Sequence, residues 1–281
     1  MDHERFADLQ RIPNRIPPVY ISLKFMSTEA ATMKTVERYL AAYRLFADLF
    51  GSEPSTGLVI LSAADWQRYA ALPIAGVTHY DHKHRAVIAP GELSAFWHEA
   101  VEMIGRGSPD LMVKLSAVYG QSDGTIDLTS HIDLWVTHDL GHAFHSHHEY
   151  FFPRRWLMEY FADLCSYVAT AQYEPNQLPA LETFPIIMSE LDNRQFAYQS
   201  WSDFEEQYGK PSFSVENYLW YHGFLYAVAK EAYRRASIAA LHDLWTAFVP
   251  IQRTVSSDAD LLLIFQQVQP ELARLLQTRS I

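Results

Sequence analysis

The chain has 281 residues, 49% of them hydrophobic and 20% charged, with a formal net charge of −11. That is enough apolar length for a large core in one big domain or two merged ones, and the acidic balance argues against nonspecific binding to nucleic acid or to acidic membrane. No apolar run reaches the length of a membrane span. The single cysteine, Cys165, excludes an internal disulfide and fits a reducing compartment. The opening MDHERFADLQRIPNRIPP has acids beside its bases and no apolar h-region, so it does not read as a secretion signal and the expected location is cytoplasmic.

In chain order, prolines at 13, 17 and 18 surround VYISLKF, which predicts an extended arm or short strand. From Thr28 to Phe50 the apolar positions Val36, Tyr39, Leu40, Tyr43, Phe46 and Leu49 recur at helical spacing, and Gly51 stops the helix. GLVILS at 57–62 reads as a buried strand and Ala64–Leu72 as a short helix. The stretch GVTHYDHKHRAVIAPGE predicts two short strands joined by a polar turn near Asp81–His84, with His79, His82 and His84 on a solvated face. Residues 93–119 carry a second amphipathic pattern broken at GRGSPD, and QSDGTID is a loop.

Thr129 or Ser130 is then positioned to cap a central helix with Asp133 in its first turn. His131, His138, His142 and His145 share one stripe of that helix. Residues four apart lie about 40° apart around the axis and roughly 6 Å along it, so His138 and His142 can reach one metal ion. His138 and His145 are about 10 Å apart along the axis, which makes His131 and His145 hydrogen-bonding or lining residues instead. Pro153 suits the first turn of the next helix, whose core face holds Leu157, Tyr160, Phe161, Leu164 and Val168. Glu159 and Asp163 fall one turn apart on it. Two acids on so apolar a helix are costly unless a metal and a histidine compensate them, or unless Glu159 pairs with Arg154 or Arg155. With Glu159 as third ligand, a tetrahedral ion keeps one position open.

After Tyr173 comes a proline-rich connector, EPNQLPALETFP, and then helical segments to the end, with Tyr218, Tyr221 and His222 clustered on one of them. The sequence shows no internal repeat, glycine-rich phosphate loop or CxxC pair.

The pattern His138-Asp139-x-x-His142 followed by Glu159 and Asp163 resembles the gluzincins, the thermolysin-like zinc metallopeptidases. Their signature is HExxH on one helix, a glutamate ligand on a second, and an acid one turn later that holds the first histidine ligand. The likeness covers roughly thirty residues, and HDxxH stands here for HExxH. It implies an α+β, mainly helical fold with a small N-terminal sheet, an active-site helix pair and a helical C-terminal part. The parts are expected at 1–173, carrying the metal-binding helices, and 174–281, packed on it. It further implies zinc on His138, His142 and Glu159, Asp163 orienting His138, Asp139 as general base, and Tyr218, Tyr221 or His222 as the group that steadies an oxyanion. The substrate class would be a peptide or protein. A rival pattern, that of the metzincins, takes a histidine six residues after the second ligand, where His148 stands, but it places glycine where this chain has His145, and glycine relieves the left-handed turn. The shorter Asp139 keeps open a second expectation, a noncatalytic zinc-containing binding or regulatory protein on a peptidase fold.

Overall fold

A computed structural model describes residues 1–27, 29–147, 152–210, 212–250 and 257–278. The chain is α+β and mainly helical, with a small sheet near its N-terminus. It forms two compact units, one of Met1–Met103 with Tyr119–His148 and the other of Ile104–Val118 with Glu149–Ile281.

The first unit is built on five short strands. β1 (Gln10–Ile12) and β2 (Val19–Ile21) form from the proline-rich opening. α1 (Glu29–Phe50) follows and ends at Gly51, whose φ of 65° is the left-handed cap that glycine adopts without penalty. β3 (Leu58–Leu61), α2 (Ala63–Tyr69), β4 (His79–Asp81) and β5 (Ala86–Pro90) come next. The order is β1-β2-β3-β5-β4, with β2, β3 and β5 parallel and the two edge strands antiparallel. Parallel neighbours need a crossover, which α1 supplies between β2 and β3. Val59, Leu61, Ala86 and Ile88 pack with Phe6, Leu9, Tyr20, Trp66 and Tyr69 on one face. Leu58, Ile60, Val87 and Ala89 point the other way by strand alternation, and all are buried.

His79 departs from the solvated-face expectation. It is buried, accepting at Nε2 from the amides of Ala71 and Leu72 (3.1 and 3.3 Å), with Nδ1 2.9 Å from the Val77 carbonyl. Alternation places it on the edge strand, and the backbone of the preceding loop closes over it; burial holds its pKa below the usual histidine value.

α3 (Ala95–Gly107) and α4 (Pro109–Tyr119) are separated by the break at Ser108. The predicted central helix is two helices, α5 (Thr129–Leu134) and α6 (Val136–His147), divided at Trp135. The cap also differs from expectation: the N-cap is Leu128, which makes no side-chain cap, and the Asp127 carboxylate just before it accepts from the Thr129 amide at 2.9 Å. α6 packs on α1, β4 and β5. Its Phe144 meets Tyr43, Phe46 and Phe50 of α1 at ring separations of 5.5–5.7 Å. That contact fixes the helix rotation and leaves the 138/142/145 stripe on another face.

The second unit is helical. Pro153 lies just before α7 (Arg155–Tyr173), outside the first turn, with Arg154 at the N-cap. The proline-rich stretch expected as a connector is a 3-10 turn at Pro175–Gln177 followed by α8 (Leu178–Glu190). Pro179 is harmless in the first turn of a helix, whereas Pro185 stands inside it. α9 (Trp201–Gln207), α10 (Val215–Ala236), α11 (Ala239–Phe248), α12 (Asp258–Val268) and α13 (Pro270–Thr278) complete the unit. Gly223 of α10 is pressed against α8, since a Cβ there would lie 2.3 Å from the Pro185 carbonyl oxygen. This close approach and the packing of α10 on α7 set the height of Tyr218 and His222.

Candidate metal centre

In the first unit, α6 carries His138, Asp139 and His142 at 4%, 4% and 8% exposure, which makes them interior groups that need partners. The Nε2 atoms of His138 and His142 lie 3.1 Å apart. Two nitrogens bound tetrahedrally at 2.0–2.1 Å would stand about 3.3–3.4 Å apart, so the pair is within a few tenths of an ångström of a two-ligand arrangement. His145 places its Nε2 2.9 Å from His142 Nδ1, a contact that holds one tautomer and leaves His142 Nε2 directed at His138. Trp135, at the break between α5 and α6, stacks on the His138 ring at 6.0 Å and 24°. A carboxylate oxygen of Asp139 and one nitrogen each of His138 and His142 lie within 4.8 Å of one another. His131, on α5 and across the break from the other histidines, is buried among Trp97, Tyr119 and Trp135.

In the second unit, two helices each contribute a pair one turn apart: Glu159 and Asp163 from α7, Tyr218 and His222 from α10. Glu159 and Asp163 are fully buried. Glu159 accepts from the Tyr208 hydroxyl at Oε1 (2.5 Å) and from the Tyr218 hydroxyl at Oε2 (3.0 Å). His222 lies with Nε2 3.3 Å from Glu159 Oε2 and Nδ1 3.1 Å from Asp163 Oδ1. Burial alone would lower the His222 pKa, but Asp163 and then Glu159 outweigh it and raise the value above that of an ordinary histidine. The Arg154 guanidinium bonds Asp258 at 2.5–2.9 Å, and Arg155 donates to the Tyr208 carbonyl at 2.5 Å, so the seen contacts of both arginines lead to groups other than Glu159. Cys165 is buried nearby in α7, and burial, then the charge of Asp163, pushes its thiol pKa well up, which removes it as a nucleophile.

Of the three α10 groups singled out in the sequence, Tyr218 and His222 meet the α7 acids. Tyr221 points elsewhere: its hydroxyl donates to the Ser200 carbonyl at 2.6 Å and its ring packs on Trp201 and Phe204. Asp163, expected to serve His138, meets His222 within its own unit. Tyr208 was not legible in the sequence: it follows α9 directly, next to Gly209, outside any periodic pattern. His148, the rival third ligand, lies outside the described residues. No family model, curated protein or solved structure matches this chain.

Proposed function

We propose that the chain is a zinc-dependent hydrolase of peptide (amide) bonds, with His138, His142 and Glu159 as the ligands. The observation that carries the reading is the 3.1 Å approach of two buried imidazole nitrogens four residues apart on α6. Glu159 supports it from the second unit, being a buried acid with two phenols on its oxygens, oriented as a ligand carboxylate is in a prepared site. A bound zinc ion would supply Lewis acidity and bring the pKa of a water toward neutrality.

The chain's own groups have separate tasks in this reading. Asp139 accepts the proton from the attacking water at its carboxylate and returns it to the leaving amine. Tyr218 donates its hydroxyl to the oxygen that gains charge, and the buried surroundings strengthen that hydrogen bond. His145 keeps His142 in one tautomer. Aspartate is one methylene shorter than glutamate, which withdraws the base by about 1 Å, a displacement that costs on the order of 100-fold in rate. The reading is therefore of a slow or narrowly selective hydrolase.

Asp139 also favours the second reading, a noncatalytic zinc-containing binding or regulatory protein. The deciding experiment compares wild type, Asp139→Asn and Asp139→Glu on a diverse peptide pool at matched zinc occupancy. Hydrolysis by wild type that the Asn variant abolishes supports the enzyme. Silence from all three, with zinc bound normally, hands the chain to the binding-protein reading.

A further inference from the structure

We propose that His222 is a ligand of the metal beside Glu159, so that α10 and α7 of the second unit give the ion one imidazole and one carboxylate. The proposal rests on the preceding reading that a zinc-type ion is bound through Glu159. Its own support lies in the second unit. His222 Nε2 and Glu159 Oε2 are 3.3 Å apart, the spacing of two donors on one tetrahedral ion with bonds of about 2.0–2.1 Å. The other ring nitrogen is 3.1 Å from Asp163 Oδ1, the carboxylate contact that fixes a ligating histidine with its lone pair at Nε2.

The surroundings select the same atoms. Both Glu159 oxygens accept from phenols, Tyr208 at Oε1 and Tyr218 at Oε2, which fixes the carboxylate with Oε2 beside His222. The Tyr218 ring lies 4.1 Å from that of His222 and restricts its rotation, and His222 is 1% exposed. Glu159 and Asp163 put two carboxylates in a fully buried place, and a divalent cation offsets their charge. Nitrogen-rich donors with one carboxylate suit an ion of intermediate softness such as zinc. The oxyanion role passes to Tyr218 alone.

The test is zinc titration of uniformly 15N-labelled wild-type protein, followed through the imidazole nitrogens, with His222 assigned from its missing signals in His222→Gln. Zinc affinity of both proteins is measured by competition with a chromophoric chelator. Zinc-shifted imidazole signals that include His222, with affinity lowered more than about 100-fold in His222→Gln, are expected, a loss beyond the range of changes around a ligand. Zinc uptake with the His222 signals unmoved overturns the His222 ligand and leaves the zinc reading standing. No zinc uptake by wild type overturns both. His222 is also assigned in wild type through its contact with the Tyr218 ring, so the wild-type signals decide the matter even if the variant folds poorly.

Discussion

The imidazole of His222 and the carboxylate of Asp163 are buried together, with Nδ1 and Oδ1 3.1 Å apart. The acid one turn beyond Glu159 therefore has its seen partner on α10. Asp163→Asn should lower zinc affinity roughly 10–100-fold, as changes to the groups that orient ligands do. Chelator competition measures it, and an unchanged affinity would remove Asp163 from the centre.

Tyr218 and Tyr221 give a matched pair. Their hydroxyls lead to Glu159 and to the Ser200 carbonyl respectively. Tyr218→Phe should reduce peptide hydrolysis by about 10²–10³, the usual loss for a removed oxyanion donor. Tyr221→Phe should leave the rate near wild type and cost about 1 kcal/mol of stability. Equal rate losses in the two variants would contradict the assignment.

Gly223→Ala should destabilise the protein by about 1–3 kcal/mol, because the new methyl meets the Pro185 carbonyl oxygen of α8 and forces the two helices apart. Denaturant unfolding monitors it. A variant as stable as wild type would show that α10 can shift, and with it His222.

The patterning of the sequence carries the sheet, the amphipathic α1 and the two helices of the candidate centre, because strand runs such as LVIL and the 138/142 and 159/163 spacings are local signals. What escaped it depends on tertiary contact. The prolines at 179 and 185 mark a connector by local rules, yet α8 forms because α10 packs against it at Gly223. The break at Trp135 lies within a run that is helical by period, and the Asp127 bond to the Thr129 amide comes from the loop before it. Tyr208 and the burial of His79 have no periodic signature at all. On α10, Tyr218, Tyr221 and His222 were indistinguishable by spacing, and only the opposing helix α7 separates them.

Asp133 on α5 gives a pH dependence. Burial raises its pKa from 3.8 to about 6, against the opposing influence of Arg38, Lys34 and a hydrogen bond with Thr35. A raised carboxylate pKa means that the folded state binds the proton more tightly. The associated stability is complete below the unfolded value of 3.8 and is lost as pH rises through about 6. The shift corresponds to on the order of 3 kcal/mol. Asp133→Asn should gain on wild type as pH rises from 3.8 through about 6 in urea unfolding, and a stability difference flat across that window would contradict the burial argument.

Zinc content measured on protein purified without a histidine tag tests the account most directly. The account predicts one zinc per chain in wild type and the loss of most of it in a His138→Ala, His142→Ala double variant and in Glu159→Ala, with His148→Ala near wild type. Full zinc retention by the double variant, or loss in His148→Ala with retention in Glu159→Ala, would contradict it.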